Sequence, residues 1–362
     1  MDQQNGKRVD PRSAQLLQGC GRRGGLQTAA QLFSPCPRAL RREDDRMSDT
    51  RRTFLQSAAL AASLTATVPT AAAQGRSGQG PSPGQAVPLA PAAEVQVPKI
   101  KFFDVEISRM VLGVNPFYGY AHFNNTYGVV MREYYTQERV CEVMHHCNRF
   151  GINAFNYVNL GRAQQDLERF QSQGGKMHLI VQGVGDPAPI YKAVKPLAIY
   201  QRGAEVDRAY QNDDMNSVKD WCKKARDTGV KVGVGTHKPE VIQLVEEQGW
   251  DVDFFAGCVY NVTRTEDEWR QVLGGELPEM PGEVYIQSDP PKMYKVLRQT
   301  KKPCFAYKIL AAGRIDRAMD RAFQTAFESI KPTDGIFVGM FPRIKDEVRE
   351  NAERVHRLLT RG

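Results

Sequence analysis

From residue 99 to the C-terminus, short β-rich runs alternate with helical patterns, and this alternation constrains the fold more than any other feature of the chain. Strand candidates fall at residues 110–115, 153–158, 178–183, 197–203, 231–237, 252–261, 304–310 and 335–340. Several are almost continuously apolar, as strands covered on both faces must be. Helical spacing connects them at 136–150, 163–173, 216–228, 239–248, 291–300, 318–330 and 345–359, with a weaker stretch at 189–194. The clearest helix has Thr136 as N-cap, Val140, Val143, Met144, Cys147 and Phe150 on one stripe, and Gly151 as terminator. Eight βα units in roughly 260 residues match a (β/α)₈ TIM barrel. A doubly wound sheet shows fewer strands and a glycine-rich phosphate turn, and no such turn follows the first strand. A short hairpin at 100–109 is expected to close the barrel floor.

The N-terminal part reads differently. Arg51-Arg52-Thr53-Phe54-Leu55, a mildly apolar run and Ala71-Ala72-Ala73 resemble a twin-arginine export signal with its cleavage site. The apolar run of about 15 residues is short of the roughly 20 that span a bilayer, so no stable membrane insertion is expected after processing. The expected organisation is an extension at 1–46 preceding a true start at Met47, a signal at 47–73, a flexible linker at 74–98 and one barrel at 99–362. The predicted location is exported, periplasmic or extracellular, with the export machinery as partner. The net charge of +8 does not argue for nucleic acid, because residues 1–75 carry a surplus of five and leave +3 for the remainder. The seven cysteines include no Cys-x-x-Cys pair. Those at 141, 147, 222, 258 and 304 read as small buried hydrophobes.

In a barrel, chemistry sits at the C-terminal strand ends. Those positions hold Asn115, Tyr118 and His122 after the first strand, Asn156 after the second and Gln182 after the third. Gln201 follows on the fourth, His237 on the fifth, Asn261 on the sixth, and Lys308 with Arg314 on the seventh. His237 at the mouth is the leading acid–base candidate, the alternative being a histidine bonded into the mouth wall. His122 lies in a Gly/Asn/Tyr-rich segment suited to a binding loop, and with His237 and Lys308 completes the catalytic candidates. Lys308 reads as a general base or Schiff-base lysine, as a partner for an anionic substrate together with Arg314, or as a structural ion pair. The amides Asn115, Asn156, Gln182, Gln201 and Asn261, with Tyr118, suit a small polyhydroxylated substrate. The mouth acids Asp186, Glu205, Asp207 and Asp316 all read as loop residues, too few for a metal site to be expected.

Three patches resemble aldo/keto reductases. Ile107-Ser108-Arg109-Met110-Val111-Leu112-Gly113 resembles that family's opening strand, and Phe150-Gly151-Ile152-Asn153-Ala154-Phe155-Asn156 its second. Val338-Gly339-Met340 with Glu347-Val348-Arg349-Glu350-Asn351-Ala352 resembles its eighth strand and cofactor helix. The resemblance implies a (β/α)₈ barrel and an oxidoreductase, with Arg343, Lys345, Glu350 and Asn351 at the adenosine end of NADP(H). The family's Asp-Tyr-Lys-His set is not kept: Asn156, Leu160 or Gly161, Gln182 and Gln201 stand there. The alternatives are an isomerase or lyase acting through His237 and Lys308, and a non-catalytic binding protein.

Overall fold

The computed structural model describes residues 93–277, 279 and 282–360. The expectations for the extension, signal and most of the linker fall outside these residues. No described helix is long and apolar enough to cross a membrane.

A hairpin, β1 (Lys99–Phe102) and β2 (Val105–Ser108), leads into eight parallel strands: β3 (Met110–Gly113), β4 (Ala154–Tyr157), β5 (His178–Gly183), β6 (Ala198–Gln201), β7 (Lys231–Thr236), β8 (Phe254–Cys258), β9 (Cys304–Tyr307) and β10 (Gly335–Gly339). Each pairs with its sequence neighbours, and β10 pairs with β3 to close the barrel. The helices are α1 (Asn125–Tyr134), α2 (Gln137–Arg149), α3 (Ala163–Ser172), α4 (Pro187–Val194), α5 (Gly203–Gln211), α6 (Met215–Arg226), α7 (Pro239–Glu247), α8 (Glu266–Leu273), α9 (Asp289–Gln299), α10 (Met319–Ser329) and α11 (Glu347–Thr360).

The period-two pattern divides each strand between two cores. Val111, Ala154, Ile180, Ala198, Tyr200, Phe254, Ala256, Phe305 and Phe337 fill the barrel, while their neighbours pack under the helices. The hairpin plugs the N-terminal end as expected. Phe102 is fully buried against Phe254 and Phe305, with ring centroids 5.6 and 5.2 Å away. At the same rim Arg226 pairs with Asp253 (2.5 Å) and Asp251 (3.1 Å), a stabilising role for acids far from the mouth.

The fold departs from the sequence reading at strand ends and in three helices. The fourth strand stops at Gln201, because Gly203 opens α5. Glu205 and Asp207 are therefore helical, not loop residues. Asp186 caps α4, its carboxylate accepting from Ala188 N at 3.1 Å. The seventh strand stops at Tyr307, because Lys308 takes a left-handed backbone (φ 60°). Helix α1 escapes a pattern search because only Gly128 and Met131 in it are buried. Helix α8 carried a readable signal: Thr265 and Glu268 form a capping box.

Removing the floor plug by Phe102→Ala is expected to cost roughly 3–5 kcal/mol in urea unfolding, the range for emptying an aromatic site in a packed core.

Candidate active site

Strand alternation carries three reactive side chains to one layer at the mouth. Phe254 and Ala256 face inward, so Cys258 at the end of β8 does too. Phe305 faces inward, and so does Tyr307, which lies opposite Cys258 in the β8–β9 register. On β7 the inward positions are Gly233 and Gly235, both lacking side chains, and His237 follows them.

Asp207 holds His237. Its carboxylate, fully buried, accepts from His237 Nδ1 at 2.6 Å, His237 N at 3.1 Å, Thr263 Oγ1 at 2.9 Å and Thr236 Oγ1. An ionised carboxylate survives burial only with such a complement of donors. The other ring nitrogen, Nε2, faces the Tyr307 hydroxyl at 3.4 Å, a long contact. Burial alone lowers the pKa of His237. The Cys258 sulfur in its charged form, which also meets the imidazole, and then the Asp207 carboxylate outweigh it and raise the pKa to about 9. Tyr307 moves well above the ordinary phenol value, through burial and then the nearby Cys258, and stays a neutral hydroxyl. Cys258 was read from sequence as a small hydrophobe; only its position beside His237 reveals it as part of the site. The other described cysteines are buried thiols pushed up by desolvation, Cys141 to about 11 and Cys222 and Cys304 to about 12.

A second cluster shares the mouth, and Glu283 organises it. Its Oε1 accepts from His122 Nδ1 at 2.8 Å, and its Oε2 from Lys308 Nζ and the Tyr285 hydroxyl, each at 2.6 Å. Burial pushes the Glu283 carboxyl up, but His122 and Lys308 reverse this and hold it far below the usual carboxylate range. Asn115 Nδ2 lies 3.0 Å from His122 Nε2. Arg314 donates to the carbonyls of Glu283 (2.8 Å) and His122 (3.1 Å). The structure thus joins four sequence candidates, Asn115, His122, Lys308 and Arg314, through an acid that sequence inspection passed over. Glu283 stands in a segment without helical or strand period, so nothing there marked it.

The remaining candidates are placed individually. Tyr118 turns away from the mouth and donates to Asp166 Oδ2 at 3.0 Å. Asn156 Nδ2 donates to Ile180 O at 3.2 Å and to the Tyr200 hydroxyl at 2.9 Å, inside the barrel. Asn261 Oδ1 accepts from Thr263 N at 3.2 Å. Gln201 is buried with Oε1 lacking a partner, whereas Gln182 is half-buried. A pocket of about 160 Å³ opens beside His237, lined among others by Asn261, Arg264, Asp289 and Lys292. At the proposed cofactor end, Lys345 pairs with Glu350 at 2.8 Å, and Asn351 is buried with its Oδ1 on Arg354 at 3.1 Å. Arg343 is exposed. His122 and His237 answer to different carboxylates, and among the described residues no three His, Cys, Asp or Glu gather as metal ligands.

No family model and no curated protein matches the chain. Among solved structures it is similar to a truncated 3-deoxy-D-arabino-heptulosonate 7-phosphate synthase from Thermotoga maritima, with 14% identity, 73% of this chain and 92% of that chain covered, and a TM-score of 0.43. It is also similar to phospho-2-dehydro-3-deoxyheptonate aldolase from the same organism, with 14% identity, 75% and 77% covered, and a TM-score of 0.43. The strand order, not this likeness, establishes the fold, and none of these matches carries the aldo/keto-reductase resemblance.

Because the folded-state pKa of His237 is raised, its contribution to stability is complete below the unfolded value near 6.5 and disappears as pH rises through about 9. Chemical denaturation between these limits is expected to show a loss of about 3 kcal/mol, and Asp207→Asn should lessen that slope.

Proposed function

We propose that this chain is a barrel enzyme in which His237, held by Asp207, delivers a proton to an oxygen of a small polar substrate at the strand ends. The observation that carries the reading is the His237–Asp207 pair: an imidazole with a pKa raised to about 9 is charged at neutral pH and stands ready as a general acid. The role differs from that of a neutral histidine base. Nδ1 is engaged by Asp207, so the transferable proton is on Nε2, and the long contact to Tyr307 leaves it available.

Such a donor supports two chemistries. In an isomerase or lyase it protonates the oxygen of an enolate-like species, and no cofactor is required. In an aldo/keto-reductase-like oxidoreductase the same proton would go to a carbonyl oxygen during reduction. Three sequence patches and the presence of a proton donor support that version, and NADP(H) would supply the hydride when bound. The Arg51-Arg52 leader supports work outside the cytoplasm.

The test is turnover of small hydroxyaldehydes, hydroxyketones and sugars by the full chain, with and without NADPH. His237→Ala is expected to lower kcat by roughly 10²–10⁴-fold with the fold intact by circular dichroism, and Asp207→Asn to lower it as well. Interconversion without NADPH identifies proton-transfer chemistry; NADPH-dependent turnover identifies reduction. Turnover unchanged by His237→Ala, or ligand binding with no turnover, would overturn the proposal.

A further inference from the structure

The cluster around Glu283 holds an anion of the chain's own where an anionic ligand would bind. Three donors from separate positions converge on that one carboxylate: His122 Nδ1 on one oxygen, Lys308 Nζ and Tyr285 Oη on the other. Among the described residues no second carboxylate pairs with Lys308, His122 or Arg314, so the cluster carries excess positive charge. Glu283 and His122 each remain more than a quarter exposed, which lets solutes reach the carboxylate, whereas Lys308 is nearly buried.

The backbone shows that these donors are aimed. His122 (φ 54°) and Lys308 (φ 60°) both occupy the left-handed region, which costs a non-glycine residue roughly 1 kcal/mol or more. The acceptor, by contrast, directly follows a glycine. Gly282 has φ +85°, and a Cβ there would lie 2.0 Å from the Phe123 carbonyl oxygen, so only glycine lets the segment pass.

We propose that His122, Lys308 and Tyr285 form a subsite for the carboxylate of a small acid, and that Glu283 is a tethered occupant which this carboxylate displaces. The inference deepens the reading of the mouth as a substrate site and rests on it. Carboxylate geometry fits because the donors divide between two oxygens. A third, phosphate-like oxygen finds no donor, since Arg314 directs its N–H groups to backbone carbonyls and its plane to the Tyr285 ring, 4.4 Å from the centroid. A tethered competitor lowers apparent affinity in proportion to the fraction of time it is bound, so removing its charge raises affinity without a new contact.

The experiment is calorimetric titration of the full chain with glycolate, with ethylene glycol as its uncharged counterpart and inorganic phosphate as the tetrahedral anion. Glu283→Gln is expected to bind glycolate roughly tenfold tighter than the parent, and Lys308→Met in that background to remove binding. Ethylene glycol should not bind. Glu283→Ala, which removes the tethered carboxylate outright, should also tighten glycolate binding and serves if Glu283→Gln does not fold. Glycolate affinity unchanged or weakened in both variants, or phosphate bound in preference to glycolate, would overturn the proposal. Because binding and not turnover is read, this result stands apart from the role of His237.

Discussion

The mouth of this barrel depends on one buried charge. Asp207 lies on α5, out of contact with water, and its two oxygens take donors from the end of β7 and from the loop after β8. An unpaired carboxylate in that position would be prohibitively costly, so the three elements must meet in this arrangement. The consequence is chemical as well as structural. His237 has one orientation, one ring nitrogen engaged and the other turned toward Tyr307. A histidine freed of this carboxylate would lose its direction and part of what raises its pKa.

Tyr307 links this pair to the second cluster. It ends β9 beside Cys258, and the residue after it, Lys308, leaves the strand to reach Glu283. The left-handed turn at Lys308 therefore separates two kinds of work. On one side a buried carboxylate holds the His237 imidazole; on the other, Lys308, His122 and Tyr285 converge on the Glu283 carboxylate. A substrate that bridges them would present an oxygen to His237 and an acid group to Lys308 and His122.

The barrel was legible because its rules are local. Alternation and helical stripes marked all eight strands, and continuous apolar runs such as His178–Gly183 gave their limits residue for residue. Strand ends were overrun where a polar residue continued a strand-like composition, as at Lys308 and Gly203, because a single left-handed residue or an unexpected helix start leaves no pattern. His237, Lys308, His122 and Arg314 could be named because strand-end position is enough to nominate them. Their partners could not. Asp207 was read as one loop acid among several, Cys258 as packing and Glu283 as nothing in particular, since a contact across 30 or 161 residues of chain has no sequence period.

The most direct test of this account is nitrogen NMR of the His237 ring in protein labelled at histidine. Both ring nitrogens should be protonated at neutral pH and titrate with a midpoint near 9, shifting down in Asp207→Asn. A neutral ring with a midpoint at or below the ordinary value of about 6.5 would contradict the assignment of His237 as a charged proton donor.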